Sequence, residues 1–160
     1  GVERAGTPEA ADFALTLTPE GGALHLVPPI GVLGVGCRRG TTAERLEEAF
    51  SAFCASSGLS PAAVSAAASI DLKKEEPGLA QFCEAHGWPI TFYSADQLRA
   101  VPGQFTPSAF VAGVTGVDNV CERAAAKASG GALLLPKTAG GGVTLALAVR
   151  SFAPDWRTEQ

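Results

Sequence analysis

The chain has no methionine, two histidines, one tyrosine and two tryptophans, and aromatics make up 7% of its 160 residues. These shortages exclude several kinds of protein. A natural translation start supplies a methionine, so its absence at position 1 makes a piece of a longer polypeptide the simplest reading. His25 and His86 show no local Ser-His-Asp or Cys-His signature and read as surface or packing residues. The four cysteines, Cys37, Cys54, Cys83 and Cys121, form no CxxC or other zinc-ligand spacing, so no metal site is expected. No apolar run reaches the ~18 residues that a membrane span needs. A net charge of −4 lacks the basic excess typical of nucleic-acid binders. The expectation is a cytoplasmic protein with neither nucleic acid nor membrane as a partner.

What is present is apolar and patterned. Hydrophobic residues make up 46% of the chain, enough for one sizeable core. Residues 1–22 are rich in Gly, Pro, Thr and Glu and read as a linker or the edge of a preceding domain. Residues 23–150 alternate between strand and helix patterns, and 151–160 form a polar tail. Strands are expected at 23–27, 30–35, 66–70, 89–93, 132–135 and 143–149, and helices at about 42–57, 75–86, 94–98 and from Gly116 to 128. A further helical turn is expected from Ser108. This order predicts an α/β fold, a three-layer α/β/α sandwich around a mixed, mainly parallel sheet. Cys54, Cys83 and Cys121 fall on apolar helix faces, as buried thiols of a reducing compartment do.

The strongest local signal is Val32-Leu33-Gly34-Val35-Gly36-Cys37-Arg38-Arg39-Gly40-Thr41-Thr42. An apolar strand enters a glycine turn, two arginines follow, and a helix opens. Backbone N–H groups, a helix N-terminus and guanidinium groups each attract an anion. Cys37 sits in that turn, where a thiol is either packed or has its pKa lowered. The spacing Gly34-x-Gly36-x-x-x-Gly40 is one residue longer than the dinucleotide fingerprint and lacks its downstream acid, so nucleotide binding fits poorly. Close helix packing would also explain these glycines. Five of the 12 basic residues (Arg38, Arg39, Lys73, Lys74, Lys137) lie near glycine turns or strand ends, as a small anionic ligand would require and as plain surface charges also would. Ser69-x-Asp71-x-Lys73 either presents a hydroxyl, a carboxylate and an ammonium on one side or forms a solvated turn. Glu122, near a helix start, suits a general base or a partner of the helix dipole.

Four ordered blocks carry a family resemblance: Gly34–Thr41, Ala68–Leu79, Thr115–Ala125, and Leu135-Pro136-Lys137 followed by Val143–Ala148. Over roughly residues 23–150 they resemble the C-terminal domain of the cobalamin-biosynthesis protein CbiG, and equally its standalone relative CobE. Asp118 stands where the family's third block usually carries proline. The resemblance implies a cobalt-precorrin-5A hydrolase, which opens the ring-A lactone of a cobalt corrinoid and releases acetaldehyde. It also implies no separate cofactor, since the cobalt arrives within the substrate. Expected partners are the corrinoid intermediate, an N-terminal region of the same protein, and a neighbouring pathway methyltransferase.

Arginine and lysine grip carboxylates, and such a macrocycle is fringed with them. The candidate substrate-binding residues are therefore Gly36, Cys37, Arg38, Arg39 and Gly40 of the first block. Ser69, Asp71 and Lys73 come from the second, Gly116 from the third, and Lys137 and Thr144 from the fourth. Glu122 is the candidate catalytic base, with backbone N–H groups of Cys37–Gly40 or Lys73 holding the developing anion. The alternative is a non-catalytic domain that carries the corrinoid intermediate.

Overall fold

The computed structural model describes residues 13–15, 24–105, 117 and 119–150, with backbone only for 13–15 and 24–26. Two short strands, β1 (Phe13–Leu15) and β2 (Leu24–Leu26), pair in parallel as a separate ribbon. The rest follows in the order β3 (Gly31–Cys37), α1 (Ala43–Ser57), β4 (Val64–Ile70), α2 (Pro77–His86), β5 (Ile90–Tyr93), α3 (Ala95–Arg99), α4 (Val120–Ser129), β6 (Ala132–Gly140) and β7 (Val143–Val149). The expected turn from Ser108 and the segment at Gly116 lie outside the described residues.

The main sheet has the order β5-β4-β3-β7-β6. β3, β4 and β5 are parallel, and β7 is antiparallel to both β3 and β6, so β7 alone runs against the other four. The sheet is mixed, as expected. Its antiparallel half arises because β6 and β7 form a hairpin rather than a crossover unit.

Local chemistry explains the helix ends. Thr42 caps α1 by accepting from the Arg45 N–H, and Gly58 ends it in the left-handed conformation. Ser94 and Gln97 form a reciprocal capping box on α3. α2 begins at Pro77 rather than at the expected Glu75, because proline favours the first helical position and Glu76 stays outside as the cap residue.

Helices cover both faces. On one, α1 and α2 bring Leu46, Phe50, Phe53, Leu79 and Phe82 onto Leu33, Val35, Leu145 and Leu147. Trp88 joins there, with His86 stacked on its ring at 4.1 Å. His86 is a packing histidine, but it does have an acid partner: its Nε2 lies 2.6 Å from Glu47 Oε2 on α1. On the other face, α3 and α4 bring Leu98, Val120 and Ala124 onto Val32, Ala66, Ala68 and Ile70.

Small residues let α4 sit close to the sheet. Gly34 lies under it, and a Cβ there would collide with the Cys121 carbonyl and lie 3.0 Å from the Ala125 methyl. Gly34 therefore serves helix packing and not a phosphate turn. The backbone pairing of β3 with β4 ends at Gly34–Ala68. Beyond it the buried Ser69 hydroxyl donates to the Val35 carbonyl at 2.7 Å. The carboxyl ends of these central strands are thus joined by a side chain where the ladder stops, and a crevice is expected at such a point.

Gly34→Ala is expected to cost about 3 kcal/mol or more, because the obstacle is backbone that cannot move without α4. Gly40→Ala should cost only ~1–2 kcal/mol, since that glycine has positive φ but open space around it. Thermal unfolding of both variants checks the order.

Burial pushes the Cys54 thiol up to about 11, and those of Cys83 and Cys121 to about 12, from an ordinary 9.0. The folded chain keeps protons that the unfolded chain releases. Stability is therefore expected to be full below pH 9 and to fall as pH rises from 9 towards 12. Urea unfolding across that range should show the decline, and Cys83→Ala should flatten it.

Candidate functional site

A cleft of about 810 Å³ opens at the carboxyl ends of β3 and β4. Its lining comes from five separate segments: Gly36–Arg39 at the end of β3, Ile70 ending β4 with Lys73 beyond it, Asn119–Cys121 at the start of α4, Lys137 in β6, and Ala139–Thr144 around the β6–β7 hairpin. Four cations (Arg38, Arg39, Lys73, Lys137) are gathered there. Among the described residues, no Asp, Glu or His lines it.

The cations are placed by hydrogen bonds to their backbone neighbours. Glu76, buried at the start of α2, accepts from the Gly40 N–H through Oε2 at 2.9 Å. Its Oε1 lies 3.7 Å from Lys73 Nζ. Gly78 lets α2 approach, since a Cβ there would strike the Thr41 carbonyl. The motif from Lys73 to Gly78 thus braces the loop after β3. On the other side, the Arg38 N–H donates to the Gly142 carbonyl at 3.0 Å. The Arg38 stem lies against Gly142, and Arg45 Nε donates to the Gly141 carbonyl at 3.5 Å.

These bonds correct the expected anion cradle. The Arg38 and Gly40 N–H groups are already engaged within the protein. The N-terminus of α1 does not line the cleft, whereas the first residues of α4 do. The glycine turn therefore contributes side-chain charge, and α4 contributes the helix N-terminus. Sequence spacing alone favoured α1 because that helix directly follows the turn.

At the start of α4, Asn119 takes a left-handed conformation, φ 50°. Its Oδ1 accepts from the Glu122 N–H at 3.2 Å and from the Cys121 thiol at 3.4 Å. Asn119, Val120 and the hairpin glycines line the cleft, yet were not singled out from the sequence. The signal for Asn119 was its position just before an apolar helix, where Asn caps well. The last two strands were expected, but β6 extends five residues past its expected end, through Pro136 to Gly140, and so brings the glycines to the cleft as a tight hairpin.

The other expected site residues divide clearly. Gly36, Cys37, Arg38, Arg39, Lys73, Lys137 and Thr144 line the cleft. Gly36 makes room for Thr144, its cross-strand partner, whose hydroxyl a Cβ at Gly36 would meet. Gly40, Ser69 and Asp71 do not line it: Ser69 is fully buried as an interstrand clamp, and Asp71 is exposed. Gly116 lies outside the described residues. Glu122 is only 1% exposed, and its Oε1 accepts from the Lys137 N–H at 2.7 Å. It faces protein rather than the cleft.

The cleft's two thiols are held neutral. Burial raises the Cys37 pKa, outweighing the Lys73 ammonium that pulls it down. Burial likewise raises Cys121, against a hydrogen bond from Thr144. Of the two readings open for Cys37, packing or a lowered pKa, the direction of its shift agrees with packing, because desolvation is the largest influence on it. Among the described residues no group of three His, Cys, Asp or Glu is placed to hold a metal ion, and no helix is long and apolar enough to cross a membrane.

The four blocks lie within the stretch that matches known proteins. The family model described as "Cobalamin synthesis G C-terminus" matches residues 31–148. A protein of Priestia megaterium named cobalt-precorrin-5A hydrolase is 36% identical over 131 residues, 81% of this chain and 34% of its own length. One of the same name from Salmonella typhimurium is 37% identical over 124 residues, 78% of this chain and 35% of its own length. The crystal structure of CobE, a protein from the cobalamin (vitamin B12) biosynthetic pathway, superposes with a TM-score of 0.68 at 35% identity, covering 77% of this chain and 92% of that one. The chain spans about a third of the length of the two named hydrolases. With 118 consecutive residues matched, from the first residue of β3 almost to the end of β7, the chain belongs to the family of cobalamin synthesis protein G C-terminal domains.

Proposed function

We propose that this chain acts in cobalamin biosynthesis as the C-terminal, corrinoid-binding part of a cobalt-precorrin-5A hydrolase. The observation that carries the reading is the cleft: Arg38, Arg39, Lys73 and Lys137 arrive from three distant parts of the sequence and face one hollow that no described acid enters. Guanidinium and ammonium groups are suited to the acetate and propionate arms of a tetrapyrrole. Val120, Val143, Ile70 and the hairpin glycines offer an apolar, backbone-rich surface to the flat ring. A volume of about 810 Å³ accepts a large part of such a ring while leaving one side open. The names of the relatives point to the same substrate.

Lactone opening needs a base to activate water and positive groups to hold the negative charge that develops on oxygen. The cations and the N-terminus of α4 serve the second need. The first is not met by the described lining, whose two thiols are held protonated. On this reading the base comes from outside the described lining, with an N-terminal region like that of the longer relatives as its proposed source. Carbon–carbon cleavage, which releases acetaldehyde, uses the macrocycle as its electron sink. That no acid or imidazole is among the described lining residues favours the second reading, a domain that carries the corrinoid for another catalytic unit.

Mixing the chain with cobalt-precorrin-5A without oxygen separates the readings. A shifted corrinoid spectrum without acetaldehyde is expected from the isolated chain, with acetaldehyde appearing once the complete protein is used. A shift that never leads to acetaldehyde, even with the complete protein, supports carriage. No shift at all overturns corrinoid binding. Arg38→Ala should weaken binding about tenfold or more, the size of a charge-assisted hydrogen bond lost, as read by spectral titration.

A further inference from the structure

We propose that Glu122 is a positioning residue whose buried carboxylate fixes the backbone of β6 so that Lys137 is presented to the cleft. The inference rests on the corrinoid reading for the identity of the ligand, and on the geometry of β6 for the latch itself.

β6 is irregular where Lys137 lies. From Leu135 to Thr138 it advances three residues while its partner β7 advances two, from Leu147 to Leu145. One extra residue in a strand reverses which face the following side chain meets. Pro136, inside this bulge, has no N–H to give the ladder. The next N–H, that of Lys137, is donated not to β7 but to Glu122 Oε1 at 2.7 Å. Lys137 is half-buried and lines the cleft, while Thr138 and Ala139 after it are exposed.

Glu122 is itself held rigidly. Its N–H is bound by Asn119 Oδ1 in the first turn of α4, and α4 is seated on Gly34. An amide bonded to a carboxylate is among the stronger hydrogen bonds, especially when water is excluded. Chain direction at the bulge is thereby set by a helix rather than by the neighbouring strand. Glu122 Oε1 is bonded to the backbone of Lys137, which leaves the Lys137 side chain for an anionic ligand. Among the described residues Lys137 forms no ion pair.

Two measurements test the latch. Hydrogen exchange on the chain should show the Lys137 amide strongly protected, freely exchanging in Glu122→Ala, and protected again in Glu122→Gln, whose carbonyl still accepts. Unchanged protection in a folded Glu122→Ala chain overturns the proposal. If Glu122→Ala does not fold, an exposed Lys137 amide in Glu122→Gln overturns it as well. The second measurement is titration with cobyrinic acid, a polycarboxylated cobalt corrinoid. Glu122→Ala and Lys137→Ala should each weaken binding roughly tenfold, the double variant should be no weaker than either, and Glu122→Gln should recover most of the affinity. Additive losses overturn the coupling. A wild-type chain that binds no cobyrinic acid tells against the corrinoid reading, while the exchange result still decides the latch.

Discussion

The seating of α4 on β3 governs the rest of the architecture. Gly34 removes the one side chain that would stand between strand and helix, and Ala124 and Ala125 complete the contact from above. This closeness brings the first turn of α4 level with the carboxyl ends of β3 and β4. Were α4 lifted by the width of a methyl group, Asn119, Val120 and Cys121 would no longer border the cleft, and Glu122 would lose its reach to β6. The opposite face is insulated from such changes by its own aromatic cluster of Phe50, Phe82, His86 and Trp88.

Around the cleft, acidic and basic side chains divide the work. Glu76 and Glu122 are both buried and both accept backbone N–H groups, those of Gly40 and Lys137. Carboxylates buried in this way are satisfied by donors of the main chain and brace the loops that carry the cations. Arg38, Arg39 and Lys137 make no ion pair among the described residues. A protein of net charge −4 thus presents a locally positive hollow by turning its nearby acids inward.

Much of this was legible in the sequence, because periodicity and capping are local. The expected helices at about 42–57 and 94–98 lie within a residue or so of α1 and α3, whose ends carry Thr42, Gly58 and Ser94. The strand ends beside Arg38 and Lys73 were legible, but their meeting with Lys137, which lies inside β6 rather than after it, depended on strand pairing that the sequence does not show. Other features depended on long-range partners. That Ser69 would clamp β3 and that Glu122 would face β6 required knowing which strands are neighbours. The extension of β6 was concealed by Pro136, which ordinarily ends a strand but is tolerated at an edge or bulge. The glycine turn was misjudged as an anion cradle because sequence shows which N–H groups exist but not which are already taken.

The uneven path of β6 has a consequence beyond its contribution to the cleft. It is an outermost strand, the place where a sheet is open to pairing with another molecule. Two register shifts and a proline deny an incoming chain the regular spacing of donors and acceptors that such pairing needs. Leu134, 47% exposed on this rim, would otherwise invite contact. The distortion that aims a lysine inward thereby also makes this edge of the five described strands a poor template for a further strand.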